Sequence, residues 1–311
     1  MLPLDINQNK AFASDFSDQY IKILKTARNK VINHGITVII NEVKKKIHIP
    51  YDDKKYWKKR LSDKSLKRII VLTPSRQRKI LNILKESKNL GSIHDKKTNS
   101  YQILKYIFTT CGYNNLNTKE KKLFYKNSKI NTCIYCNRNY IFDVEENGHI
   151  KGHIDHFYPK GKYPYFAMSY FNFIPVCESC NKVKGELDTT DIEKKFIHPY
   201  DREEEKVIGT TLNTVTSLSY AFVEDDLLKK LHIEKIYNEG HTDLLQELYI
   251  KFFQQDTKEH FKSLGKSLNK IGFSTDEIHR FITSGYLEYE KQHKRSLSKA
   301  IKDIRDEFES V

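Results

Sequence analysis

The 311-residue sequence has only five cysteines, and no apolar stretch approaches the ~20 residues that a membrane-spanning helix requires. So few cysteines in a chain of this length argue against a fold held together by disulfides. The first residues, MLPLDINQNKAF, lack the basic and then apolar pattern of a secretion signal. Internal repeats and low-complexity tracts are also missing. These absences predict a cytoplasmic protein without membrane contact, with room for one large domain or two ordinary ones.

Positive charge is abundant and unevenly distributed. The formal net charge is +14, and residues 44–79 hold 14 Lys or Arg against three acidic residues, a surplus of 11. A dense basic segment usually meets phosphate, because neutralising phosphates releases condensed counterions. The alternative is a solvated, lysine-rich helix face. We favour nucleic acid as its partner, and the side chains that we assign to phosphate contact are Lys44, Lys45, Lys46, Lys58, Lys59 and Arg60.

Residue periodicity divides the chain into a central region and two helical flanks. Residues 1–130 show apolar residues at helical spacing, a helix start at Thr73-Pro74 and a capping box at 117–120. Residues 189–311 return to helices, where Gly240 ends one helix and Thr242 is expected to cap the next. A long amphipathic helix is predicted over 289–308.

The central region, residues 131–188, loses the helical period and gains aromatic residues, asparagine and proline. We predict a hairpin here, with strands at 140–142 and 149–155 joined by the acidic turn DVEENG. A short helix is predicted to start at Cys177.

Four of the five cysteines form two C-x-x-C pairs, CIYC at 133–136 and CESC at 177–180. Each pair makes a knuckle whose thiolates converge on one point, and two knuckles supply a tetrahedral shell of four sulfurs for zinc. Such a zinc ion would be structural, because four thiolates leave no open coordination position. The remaining cysteine, Cys111, is expected to be a buried apolar residue. The predicted zinc ligands are Cys133, Cys136, Cys177 and Cys180.

An Asp155-His156 pair lies between the knuckles, where a predicted strand ends. The two side chains can share a site only if the strand stops there, which Pro159 favours. Asp155 and Asn181 offer oxygen ligands of the kind that Mg²⁺ prefers. The alternative is a turn aspartate with a surface histidine. Two interpretations also remain for His153, which is either a site residue or a strand-surface histidine.

The run HIDHFYPK…FNFIPVCESCNKVKG resembles the ββα-metal core of HNH (His-Me finger) nucleases, over residues 131–188. The resemblance implies an α+β fold in which a small ββα-metal core with a four-cysteine zinc site lies between mostly helical regions at 1–130 and 189–311. It implies that Asp155 and Asn181 bind the catalytic ion, and that His156 is the general base. It also implies that Asn172 braces the site and that Lys184 contacts phosphate or braces the helix. Many members have histidine where this chain has Asn181, so Mg²⁺ or Mn²⁺ is expected rather than Ni²⁺ or a catalytic zinc.

The core is followed by FIHPYD, then by EKIYNEGH and a late KAIKDIRDEF. With long helical arms on both sides, these flanks are similar to those of bacterial antiphage HNH proteins, such as the HNH subunit of Septu-type systems and retron-associated relatives. The resemblance of the core implies a metal-dependent endonuclease acting on DNA, or alternatively on RNA. The similarity of the flanks implies that an ABC/SMC-like ATPase partner controls the cutting. Other interpretations are a non-catalytic, zinc-dependent module for nucleic-acid binding or assembly, and a free-standing restriction or homing nuclease. The sequence leaves the oligomeric state open.

Overall fold

The computed structural model describes residues 2–86, 93–117, 120–121, 124–125, 128–141, 143–144, 149–150, 152–191, 193–202, 207–214 and 217–310. Within these ranges the fold is mixed α+β, mostly helical, with small two-stranded antiparallel sheets and a buried four-cysteine cluster in the middle region. The predicted fold class is therefore confirmed. In the described part of the chain, no helix is both long and apolar enough to cross a membrane.

The helices and strands are numbered here in chain order. The helices are α1 Ile6–His34, α2 Tyr51–Arg60, α3 Asp63–Ile70, α4 Pro74–Glu86, α5 Asn99–Leu104, α6 Glu178–Lys184, α7 Asp226–Lys230, α8 Ile233–Gly240, α9 Thr242–Phe252, α10 Gln255–Lys270, α11 Thr275–Thr283 and α12 Ser298–Glu309. The strands are β1 Ile36–Ile40, β2 Val43–Ile47, β3 Asp143–Val144, β4 His149–Ile150, β5 His153–His156, β6 Phe173–Val176, β7 Ile208–Thr214 and β8 Ser217–Phe222.

Helix α1 supplies the first wall of the core. Asp5 caps it by accepting a hydrogen bond from the Asn7 amide, and Tyr20, Leu24 and Val31 fall on one buried stripe at helical spacing. The helix contacts α3 and the segment that precedes β6. Phe16 meets the rings of Tyr170 and Phe173 at 5.8 and 5.7 Å between centroids, so the helix packs directly against the central region.

Two hairpins lie in the flanking regions, which the sequence predicted to be mostly helical and for which it predicted no strands. β1 pairs with β2, with Ile36 opposite Ile47, and β7 pairs with β8, with Ile208 opposite Phe222. The β1–β2 hairpin is exposed along most of its length, so its pattern lacks the regular apolar alternation that marks a half-buried strand.

The central ββα unit is formed by β5, β6 and α6. β5 pairs antiparallel with β6, so that His153 lies opposite Val176 and His156 opposite Phe173. The predicted hairpin has the wrong pairing, because β4 pairs with β3 while β5 pairs with the later strand β6. All four residues of β6 are buried, so pairing with β6 places β5 beside the apolar core. Phe142 and the predicted turn at 145–148 lie outside the described residues.

The C-terminal helix is shorter than predicted. Residues 289–294 form a 3₁₀ turn, Leu297 adopts a left-handed conformation with φ +62°, and α12 begins only at Ser298. The helix is interrupted because Leu297 N–H donates to the Asn137 carbonyl (2.7 Å) and the Ser296 hydroxyl donates to the Arg138 carbonyl (2.5 Å). The predicted cap of α9 is wrong by one residue. Thr242 is the first helical residue, and His241 is in the cap position.

Candidate active site

The four paired cysteines come together at one point. Their Sγ atoms all lie within 4.8 Å of one another, and all four residues are buried. Thiolates arranged tetrahedrally at a Zn–S distance of about 2.3 Å stand roughly 3.8 Å apart, so the cluster needs little movement to close on an ion. Cys111 lies outside this group and is only half-buried, so its predicted full burial is wrong.

The chemistry of the cluster fits a structural zinc ion. Burial raises the pKa of the Cys133 thiol well above its ordinary value, so an ionised Cys133 needs a cation beside it. The Arg138 amide donates to Cys136 Sγ at 3.5 Å, which supports negative charge on that sulfur. Four sulfur ligands would complete the coordination of zinc, whose binding energy would then contribute to folding.

Asp155 is buried at the end of β5 and is held from two sides. The Tyr135 hydroxyl, from within the first knuckle, donates to Oδ2 at 2.6 Å. Lys184 Nζ lies 3.2 Å from Oδ1 and 3.0 Å from Oδ2. Burial and the neighbouring carboxylate raise the pKa of Tyr135 well above its ordinary value, so its hydroxyl remains a donor. The zinc knuckle and the candidate metal-binding acid are therefore linked by one short hydrogen bond.

His156 follows Asp155 and has a defined tautomer. Nε2 lies 3.1 Å from the Ala167 carbonyl oxygen, which can only accept, so the ring proton is on Nε2 and Nδ1 carries a free lone pair. Burial, with added repulsion from the charges of Lys160 and Lys184, lowers the pKa of His156 to about 3. The imidazole is therefore neutral at pH 7.

Asn172 lies fully buried behind the site. Its Oδ1 accepts from the Tyr158 amide at 2.8 Å, and its Nδ2 donates to the carbonyls of Tyr158 (3.0 Å) and Phe166 (3.2 Å). These bonds tie the chain just after His156 to the turn that presents the Ala167 carbonyl. Asn172 is thus placed to hold the partner of the imidazole, and it does not itself line the cleft.

Asp155, His156 and Asn181 line one open cleft of about 380 Å³. Asn181 reaches it from the first turns of α6, while Cys180, one residue earlier, is directed into the cysteine cluster. His153 also lines this cleft and is exposed, as either interpretation of that residue allows. The structure therefore places His156, the Asp155 carboxylate and the Asn181 side chain in the lining of one cleft, the first two from β5 and the third from α6.

Lys184 and the basic segment occupy different environments. The Lys184 side chain is fully buried, and its Nζ also donates to the His156 carbonyl at 2.8 Å, so the residue braces β5 against α6. Lys44, Lys45 and Lys46 lie exposed on β2, and Lys58, Lys59 and Arg60 lie exposed at the end of α2. Among the described residues that line the cleft, none comes from this segment.

The sequence did not point to several side chains that line the cleft or lie behind it. Tyr135 lies between two cysteines, and no spacing rule predicts its hydrogen bond to Asp155. Tyr113 comes from a 3₁₀ turn far upstream, and its ring packs edge-on against His156 with the centroids 4.4 Å apart. Lys160 could have been found, because it follows His156 by four residues.

The fold and the site together define a ββα unit with an Asp-His pair at the strand end and a cysteine cluster, the arrangement that the HNH resemblance implies. Among curated proteins, the chain is similar to the Septu protein PtuB of Bacillus thuringiensis, with 26% identity over 107 residues. That similarity is distant and partial, since it covers 34% of this chain and 36% of the relative. No protein-family model and no solved structure matches the chain.

Proposed function

We propose that this protein is a metal-dependent endonuclease of the HNH class that hydrolyses phosphodiester bonds in nucleic acid, with DNA as the favoured substrate. The observation that carries the proposal is the cleft in which Asp155, Asn181 and a tautomerically fixed His156 meet. A purely binding module would have no need of a buried imidazole with a free lone pair beside two oxygen donors.

His156 is the proposed general base. Because Nε2–H donates to the Ala167 carbonyl, Nδ1 is the atom that can take a proton from water. A base works best with a pKa near the working pH, and the pKa of His156 in the free protein lies well below it. An anionic substrate in the cleft would oppose the charges of Lys160 and Lys184 and raise that pKa. General-base catalysis of this kind contributes ~10²–10⁴-fold to the rate.

Asp155 and Asn181 are the residues that would hold Mg²⁺ or Mn²⁺. Both present oxygen, as hard cations require, and both line the cleft. When bound, such an ion supplies Lewis acidity and stabilises the charge that develops on phosphate oxygens. In this arrangement Tyr135 and Lys184 orient the Asp155 carboxylate, and Asn172 orients the partner of the base, so these three are positioning residues.

The exposed basic segment on β2 and α2 is the proposed surface for the nucleic-acid backbone. Lysine side chains of this type position a duplex without reading its sequence. Replacing Lys58 and Lys59 by glutamine should make the plot of log K against log salt shallower by ~0.9 for each phosphate that is no longer neutralised. An unchanged slope would remove the segment from this role.

The decisive experiment is a cleavage assay on plasmid DNA, single-stranded DNA and tRNA with Mg²⁺, Mn²⁺ or chelator. His156→Ala should abolish detectable cleavage while zinc content and the circular dichroism spectrum stay unchanged. His260→Ala, an exposed histidine on α10, is the matched control and should cleave like the wild type. Cleavage by His156→Ala at the wild-type rate would refute the assignment of the base. DNA binding without cleavage by the wild type would favour the zinc-dependent binding module.

The similarity to a Septu protein extends the proposal to an antiphage role beside an ABC/SMC-like ATPase. A search of the neighbouring genes for an ATPase, followed by coexpression, copurification and plaque assays with any that is found, tests that role. If His156→Ala still protects cells against phage in the plaque assay, the defence function does not depend on nuclease activity.

A further inference from the structure

We propose that Lys121, Lys160 and the Tyr125 hydroxyl form a binding site for phosphate oxygens of the nucleic-acid strand, immediately beside His156. The proposal rests on the nuclease function above and names the groups that would hold its substrate. It assigns to this cleft side chains that neither the HNH motif nor the basic segment includes.

Tyr113 is the platform of this phosphate site. Its hydroxyl donates to the Ile154 carbonyl (3.3 Å), and its ring packs against the imidazole of His156. Lys121 Nζ lies 5.5 Å and Lys160 Nζ 5.2 Å from the centroid of the same ring. Cation–π attraction at these distances keeps both ammonium groups next to the base.

Both lysines have donors to spare. The described residues offer neither of them a carboxylate within salt-bridge distance, although Glu186 also lines the cleft. Lys184, the lysine that the motif suggests for phosphate, is instead fully buried against Asp155. Phosphate binding in the cleft therefore falls to Lys121 and Lys160, each a compact charge with three N–H donors.

The Tyr125 hydroxyl provides an independent sign of a ligand. Tyr125 is 3% exposed and lines the cleft, and its oxygen has no hydrogen-bond partner among the described residues. A buried hydroxyl without a partner costs about 1–3 kcal/mol, which an oxygen of a bound ligand would recover. Gly152 leaves room beside it, because a Cβ at that position would lie 2.8 Å from the hydroxyl oxygen.

These groups together favour phosphate oxygens over other ligands. Two ammonium groups and one hydroxyl donor surround a polar, open cleft, and the carboxylate of Asp155 in that cleft is already paired with Lys184. Ammonium groups on an aromatic ring bind any phosphate of suitable geometry. We therefore expect binding without base preference, at the phosphate being cut or at its neighbour.

Binding is tested first, without added divalent ions, so that cleavage does not interfere. Fluorescence anisotropy with a labelled DNA duplex is measured across a salt series for Lys121→Gln, Lys160→Gln and the double variant. Each phosphate that loses its ammonium partner should make the plot of log K against log salt shallower by ~0.9. Lys160→Arg should restore affinity, because it keeps the charge. Lys266→Gln, an exposed lysine on α10, is the matched control and should bind like the wild type.

Cleavage with Mg²⁺ is tested second. Each lysine variant should lose about tenfold in kcat/KM, the loss expected for one hydrogen bond to a charged group, and Tyr125→Phe should lose less. Tyr113→Leu should behave like the double lysine variant, because it removes the ring that both ammonium groups contact. Wild-type affinity, slope and kcat/KM in the double variant would overturn the phosphate site. Lysine-dependent binding without cleavage by any form, the wild type included, would refute the nuclease function and leave the phosphate site standing.

Discussion

Removing the Tyr135 hydroxyl tests the link between the zinc knuckle and the candidate catalytic ion. Tyr135→Phe deletes one oxygen and keeps the buried ring. The deleted hydrogen bond is 2.6 Å long and ends on the Asp155 carboxylate, and a hydrogen bond to a charged group is worth about 1.5–3 kcal/mol. Lys184 still holds the carboxylate, so we expect a loss near the lower end of that range, together with a carboxylate that is less well oriented.

Three measurements on this variant separate the possible effects. Chemical denaturation should show unfolding free energy lower by about 1.5 kcal/mol. Zinc content should stay at the wild-type value, because the cysteines are untouched. In plasmid cleavage, half-maximal activity should require about tenfold more Mg²⁺, since Asp155 would be a poorer ligand, while the rate at saturating Mg²⁺ changes little.

Tyr237→Phe is the matched control. The Tyr237 hydroxyl is also buried and donates to the same knuckle, at the Cys136 carbonyl (2.8 Å), but it does not touch Asp155. We expect it to cost stability without moving the Mg²⁺ dependence. If Tyr135→Phe and Tyr237→Phe give the same Mg²⁺ dependence as the wild type, the proposed orientation of Asp155 by the knuckle is wrong.

The remaining predictions concern zinc, the brace and acid stability. Cys136→Ser should lose zinc and unfold at lower temperature, because thiolate binding energy is folding energy; a zinc-loaded, fully stable variant by elemental analysis and calorimetry would contradict a structural zinc. Asn172→Leu should cost about 2–6 kcal/mol, because it leaves the Tyr158 amide and carbonyl unpaired, whereas the Phe166 carbonyl still accepts from the Ser169 amide; a loss below about 1 kcal/mol in denaturant titration would show that the Tyr158 groups find other partners. Burial and the charge of Arg305 lower the pKa of His279 to about 3. The contribution of this imidazole to the free energy of unfolding is therefore complete above its ordinary pKa of 6.5, and it is lost as the pH falls from there towards 3. At pH 5 the loss is about 2 kcal/mol, and His279→Gln should lose that much less stability between pH 7 and 5 by thermal melting than the wild type.

Local signals predicted the parts of the fold that depend on neighbouring residues. The spacing of Tyr20, Leu24 and Val31 predicts α1, and both hydrogen bonds of the Asn117–Glu120 capping box are present. The two C-x-x-C pairs predict the cysteine cluster because knuckle geometry is itself local. The short helix predicted from Cys177 is present as α6, and the residue that follows it, Gly185, has a positive φ.

Long-range partners explain what the sequence could not predict. β5 pairs with a strand twenty residues later rather than with the adjacent hairpin, and all four residues of that strand, β6, are buried. Tyr113 and Lys121 reach the cleft through tertiary packing, so no pattern near Asp155 or His156 points to them. The roles of Asp155, His156, Asn172 and Asn181 stay predictions, although their positions agree with the motif.

The first knuckle also governs how this protein can be dissected. Both flanking regions donate backbone hydrogen bonds to the knuckle or to the residue that follows it: Leu2 N–H donates to the Ile134 carbonyl and Leu297 N–H donates to the Asn137 carbonyl, each at 2.7 Å. A fragment limited to residues 131–188 would lose both hydrogen bonds and leave the two carbonyls without these partners. Expression trials should therefore keep the two ends of the polypeptide, and a protease nick in a surface loop should yield pieces that copurify.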